Sequence, residues 1–123
     1  MLGSANLVAF VTVSDAARAR TFYRDALGLR LVSEDTFALV FDANGTMLRV
    51  AVAAQVAVAP YTVLGWAVAD IAATVRALAA AGVEFQRYPG MQQDELGIWR
   101  SPGGARVAWF KDPDGNTLSV SQH

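Results

Sequence analysis

Two periodicities take turns along this chain. Leu7 to Val13 and Thr62 to Val68 are β-rich runs, and each leads into a stretch whose apolar residues recur at helical spacing. After Val13-Ser14-Asp15 these residues are Ala19, Phe22, Tyr23, Ala26 and Leu27; after Val68-Ala69-Asp70 they are Ile71, Val75, Leu78 and Ala79. The two Asp residues stand 55 positions apart. Each is predicted to cap a helix, because a carboxylate accepts hydrogen bonds from the free amides of a first turn. Gly28 and Gly82 fall where those helices should stop, in the left-handed conformation that glycine adopts without strain.

After the first helix the pattern predicts strands at Leu29–Glu34, Phe37–Asp42 and Thr46–Ala53, with a turn at Asp42-Ala43-Asn44-Gly45. After the second it predicts Val83–Tyr88, a short Gly97–Ser101, Arg106–Lys111 and Asn116–Ser121. The turns there are Pro102-Gly103-Gly104 and Asp112-Pro113-Asp114-Gly115. Laying Gly45 on Gly115 also lays Phe41 near Phe110, Leu48 on Leu118 and Val50 on Val120. The chain therefore reads as two βαβββ modules, residues 5–54 and 61–121, joined by the short linker Ala54–Pro60.

Composition narrows the function. With 123 residues and 54% hydrophobic content, a single compact domain over 1–123 is expected and disorder is excluded. The longest apolar stretch, near Ala51–Val63, is interrupted by Gln55 and Pro60, too short for a bilayer span. No signal-peptide pattern is visible at Met1-Leu2-Gly3-Ser4, so a cytoplasmic protein is the default expectation. Net charge is −1 and no basic stripe occurs, which argues against a nucleic-acid partner. There is no cysteine, and the one histidine is His123. Thiolate chemistry and an internal imidazole base are both excluded within one chain.

Two segments then carry a resemblance. Phe22-Tyr23-Arg24-Asp25-Ala26-Leu27-Gly28-Leu29 and Phe110-Lys111-Asp112-Pro113-Asp114-Gly115-Asn116 resemble the vicinal oxygen chelate superfamily, which includes glyoxalase I, bleomycin-resistance proteins and extradiol dioxygenases. The resemblance covers nearly the whole chain. It implies an α+β fold in which two βαβββ modules form a curved mixed-sheet cup, helices outside and ligand inside. It also implies four metal-ligand positions: a His in each module's first strand and a carboxylate in each module's last. Carried over by position, these fall on Val8, Val63, Arg49 and Ser119. A divalent cation wants imidazole or carboxylate donors and is repelled by a guanidinium, so no metal and no other cofactor are expected. The acid pairs Asp94-Glu95, Asp112-Asp114 and Glu34-Asp35 sit in turns or loops and read as solvated or as caps. The Asp112–Asn116 run likewise reads as a turn, and Gly103-Gly104 lacks the helix and lysine of a phosphate loop.

Strand alternation populates the cup. With Val8, Arg49, Val63 and Ser119 inward, Asn6, Phe10 and Thr12 share the first strand's inner face. Met47 and Ala51 flank Arg49, Tyr61 and Gly65 flank Val63, and Thr117 and Ser121 flank Ser119. Leu7, Val11, Leu48, Val50, Leu64, Trp66, Leu118 and Val120 are then predicted to face the helices. Trp99, with Phe37, Tyr88, Met91 and Trp109, supplies aromatic and sulfur surface, and Pro89–Leu96 reads as a long loop and a candidate lid. The expected binding set is Arg49, Val8, Val63, Ser119, Phe10, Met47, Tyr61, Thr117 and Trp99. Arg49 is the most informative member, since its planar fork suits a carboxylate, phosphate or carbonyl. Two functions remain open: a metal-free binding protein that sequesters a small aromatic or anionic molecule, or a metal-free isomerase, lyase or cyclase using the same cup. The second needs a general base, and none is placed on the inner face by alternation. A homodimer is expected, because strand edges and apolar surface exceed what one small core hides.

Overall fold

Strand β1 (Val8–Val13) opens the first of two units, Met1–Ala57 and Val58–His123, into which residues 1–123 of this computed structural model divide. The first continues with α1 (Ala16–Arg20), a π-helical turn (Thr21–Ala26), and strands β2 (Arg30–Glu34), β3 (Ala38–Ala43) and β4 (Thr46–Val52). Its sheet runs β1-β4-β3-β2, with β1 parallel to β4 and the other pairs antiparallel. The second unit contains β5 (Leu64–Ala67), α2 (Ile71–Ala80), β6 (Trp99–Arg100), β7 (Arg106–Lys111) and β8 (Thr117–Gln122). Its order, β5-β8-β7-β6 with β5 parallel to β8, repeats the first topology. The unit boundary falls inside the expected linker.

Local chemistry sets these elements. Asp15 accepts the Arg18 N–H at 3.1 Å and Asp70 accepts the Ala73 N–H at 3.0 Å, so each helix starts at its Asp. Gly28 and Gly82 stop them at φ 76° and 95°. Before Gly28 the helix widens: the Leu27 N–H donates to the Phe22 carbonyl five residues back, at 2.9 Å. This widened turn carries Tyr23, which is fully buried and meets Phe22 at 5.1 Å and Phe41 at 6.1 Å between ring centroids.

The helix-side core of each module comes from matching positions. Leu39, Phe41, Leu48 and Val50 are buried in the first, Ala108, Phe110, Leu118 and Val120 in the second. Phe41 pairs with Leu48 and Phe110 with Leu118, as the overlay of the two halves predicts. Phe110 also meets Trp66, stacked at 6.5 Å, and Phe85, edge-on at 5.5 Å. Each such side chain contributes about 1.5–3 kcal/mol by leaving water.

Four expectations are corrected. Val83–Tyr88 forms no strand: β6 occupies one end of the edge of β7, and only the Phe85–Phe110 bridge and a 2.8 Å bond from the Gln86 N–H to the Trp109 carbonyl remain. Leu7 precedes the first β1–β4 pair, Val8 with Met47, and is 74% exposed instead of buried. Tyr61 lies before β5, so alternation does not extend to it, and it is 67% exposed. Pro89–Leu96 is not built as a lid. Gln93 donates to the Gln86 and Gly97 carbonyls and accepts the Tyr88 N–H, Arg87 donates to the Asp94 and Glu95 carbonyls, and Asp94 accepts the Leu96 and Ile98 N–H groups. These bonds fasten the segment from within. No helix is long and apolar enough to cross a membrane.

Candidate functional site

Alternation along the first sheet gives it an open face opposite the core. Phe10, Arg49 and Val40 form one cross-strand row on that face, and Val8, Met47 and Asp42 form the next. A bulge between Leu31 and Ser33 adds Val32 beside them. Val8, Phe10, Val32 and Met47 are all exposed, Phe10 at 61%. A cavity of about 310 Å³ opens here, lined by Val8, Val32, Val40, Met47 and, at one end, the Arg30–Asp42 ion pair at 3.2 Å.

Arg49 stands half-buried in this apolar row and makes no hydrogen bond or ion pair. The other arginines of the module are engaged: Arg18 with Asp15, Arg20 with Glu34, Arg24 with Asp25 and Arg30 with Asp42. Asp35 is held below the usual carboxylate range by the Phe37 and Ala38 N–H groups, with the Arg49 charge a lesser contribution. Arg49 is thus in electrostatic reach of a carboxylate that backbone donors already occupy, at 2.8 and 2.9 Å.

The matching row of the second sheet is Gly65, Ser119 and Trp109. Ser119 and Thr117 are buried. A Cβ on Gly65 would stand 2.7 Å from the Ser119 Oγ, so the missing side chain is what makes room for the hydroxyl. Trp109 meets Tyr88 edge-on at 5.6 Å and Trp99 at 5.9 Å. Val63 leads into this face, its N–H bonded to the Thr117 carbonyl at 3.0 Å.

Of the expected residues, the first module brings Val8, Phe10, Met47 and Arg49 to one face, and the second does the same for Val63, Thr117, Ser119 and Trp99. Tyr61 lies outside the strands. Two members were not anticipated. Val40 faces Arg49 directly; the overlay of Phe41 on Phe110 carried that signal, since a core Phe41 turns Val40 the other way. Asp42 places a carboxylate on a face expected to have none. It is engaged, however, accepting from Arg30 and from the Gly45 N–H at 2.9 Å.

The four implied metal positions carry two valines, a guanidinium and a hydroxyl, and no group of three or more His, Cys, Asp or Glu side chains converges anywhere. This donor set does not fit a divalent cation. The Asp112 carboxylate is a turn cap: it accepts the Asp114 and Asn116 N–H groups at 3.0 and 2.9 Å and the Asn116 amide at 2.8 Å.

Fold and repeat together point to one class of protein. The sequence model of the Glyoxalase/Bleomycin resistance protein/Dioxygenase superfamily matches residues 5–120, and the chain belongs to that superfamily. It is similar in fold to the lactoylglutathione lyase of Agrobacterium tumefaciens, with TM-score 0.74 and 19% identity over 97% of this chain and 93% of that one. A superfamily member from Sphaerobacter thermophilus gives 0.74 and 21%, over 98% of each chain. One from Alicyclobacillus acidocaldarius gives 0.70 and 16%, over 98% of this chain and 92% of that one. No curated protein matches the sequence.

Proposed function

We propose that this chain is a metal-independent small-molecule binding protein of the glyoxalase/bleomycin-resistance type, holding an aromatic or anionic ligand against the face that carries Arg49. One observation carries the reading: a half-buried guanidinium without a partner, set among Phe10, Val40 and Met47. Burying a charge costs free energy unless something pairs it, and a ligand carboxylate or carbonyl would do so while the apolar row takes its ring. Binding is favoured over catalysis because Asp42, the carboxylate on this face, is already bonded to Arg30 and to a backbone N–H. The protein is further proposed to be a homodimer, covering apolar surface such as Phe10, Val32 and Phe37.

The test is a thermal-shift screen of aromatic carboxylates and aromatic antibiotics, with and without divalent metal, followed by calorimetry on any hit. Stabilisation that metal does not alter is expected. Arg49→Ala should weaken binding by about 1.5–3 kcal/mol and leave folding nearly intact. Arg49→Lys should recover part of the loss, because an ammonium cannot make a bidentate contact. Equal affinity for wild type and Arg49→Ala would overturn the reading. Light scattering at micromolar concentration should give about twice the 13.1 kDa chain mass.

A further inference from the structure

The second module carries another unpaired cluster, on the face opposite Ser119 and Trp109. Arg106 is the register partner of Gln122 across β7–β8 and of Arg100 across β6–β7. By alternation this row lies on the side of Ala108, Phe110, Leu118 and Val120, just past the end of the apolar core. The Gln122 oxygen accepts the Ile71 N–H at the start of α2, at 2.9 Å. That bond fixes the carboxamide and leaves its NH₂ without a partner. With Gly104 and His123, these three side chains line a cavity of about 240 Å³.

Two like charges directly opposite on neighbouring strands destabilise a sheet. Five other guanidinium groups are offset: Arg18, Arg20, Arg24 and Arg30 pair with carboxylates, and Arg87 donates to two carbonyls, whereas Arg49 and Arg76 stand singly. The side chains of Arg100 and Arg106 make no ion pair and no hydrogen bond. Their stems belong to adjacent strand positions, about 5 Å apart at Cα in an antiparallel pair, so both forks can reach one anion. We infer that this cavity binds a small oxoanion, the phosphoryl or carboxylate group of a soluble metabolite. Arg100 and Arg106 take its oxygens in planar forks, and the Gln122 amide donates a further bond. This site is separate from the Arg49 face and does not depend on the function proposed for it.

The experiment titrates the full chain with inorganic phosphate, and separately with citrate, at constant ionic strength, following ¹H–¹⁵N spectra. Saturable shifts are expected at Arg100, Arg106, Gln122 and Gly104, and the tighter of the two anions identifies a phosphoryl or a carboxylate source. Arg106→Gln should weaken the tighter anion by about tenfold or more. Arg76→Gln, on α2, should leave that affinity unchanged. The anion should also raise the melting temperature of wild type and not that of Arg106→Gln. Without anion, Arg106→Gln should melt no lower than wild type, since it removes a like-charge contact. Shifts that sodium chloride reproduces at matched ionic strength, or an affinity indifferent to Arg106→Gln, would overturn the site. So would a lower melting temperature for the anion-free variant.

Discussion

The two sheets share topology and core, and differ where the core does not constrain them. In the first the open-face row is Phe10, Arg49 and Val40; in the second it is Gly65, Ser119 and Trp109. The first row is large and apolar around a bare charge, with Phe10 exposed. The second is small and polar at its centre, with Ser119 only 9% exposed. On the other side of each sheet the pairs Phe41–Leu48 and Phe110–Leu118 repeat almost unchanged. Packing at native density holds the core side to one solution, whereas the open side is free to diverge toward a ligand.

The largest expected effect tests the shared side. Phe41→Ala and Phe110→Ala each empty a fully buried position, and each should cost about 3–5 kcal/mol in urea unfolding. Comparable losses would support equivalent cores. A loss below about 1 kcal/mol in one of them would show that its module contributes little to stability. Next in size is the loss of ligand affinity in Arg49→Ala, which should leave the unfolding midpoint in place. The corresponding change in the other row, Ser119→Ala, should alter affinity less, because a buried hydroxyl offers one neutral donor where Arg49 offers a charged fork. A third probe is Gly65→Ala. Its Cβ would fall 2.7 Å from the Ser119 Oγ, so about 1–2 kcal/mol of destabilisation is expected. Ser119→Ala in the same chain should recover much of it, the non-additivity that marks two groups competing for one space.

Most of the fold was legible in the sequence, because its determinants are local. Asp15 and Asp70 cap, Gly28 and Gly82 stop, and alternation through Leu48–Val50 and Leu118–Val120 assigns the core face. The misses arose where geometry is not local. Val83–Tyr88 has the composition of a strand, but its place beside β7 is partly taken by β6. Pro89–Leu96 has the composition of a mobile loop, yet Gln93, Arg87 and Asp94 bind its backbone from positions no periodicity connects. For the candidate site, Arg49 and its neighbours followed from parity. That Arg49 lacks a partner while Asp42 has one did not, since pairing is decided across strands.

The smallest expected effect comes from a further contrast between the modules. Four ion pairs tie the first module together, whereas Arg76, Arg100 and Arg106 of the second make none. In the first, the bonded Arg20 guanidinium holds Glu34 below the usual carboxylate range, and the Phe37 and Ala38 amides hold Asp35 below it. A carboxyl with a depressed folded pKa binds fewer protons folded than unfolded. Its stabilisation is therefore complete above the unfolded value, about 4, and is lost as pH falls through the lower folded value. Stability measured by urea unfolding should decline from pH 5 to pH 3. Glu34→Gln with Asp35→Asn should flatten that decline while leaving the chain folded at pH 7, since Asn keeps an oxygen for the two backbone donors. Both groups are at the surface, so added salt should shrink the part that comes from Arg20–Glu34 and spare the part from the Asp35 amide bonds. An unchanged slope in the double variant would move the acid sensitivity away from Glu34 and Asp35, to Asp25, whose carboxyl the bonded Arg24 guanidinium also holds below its usual range.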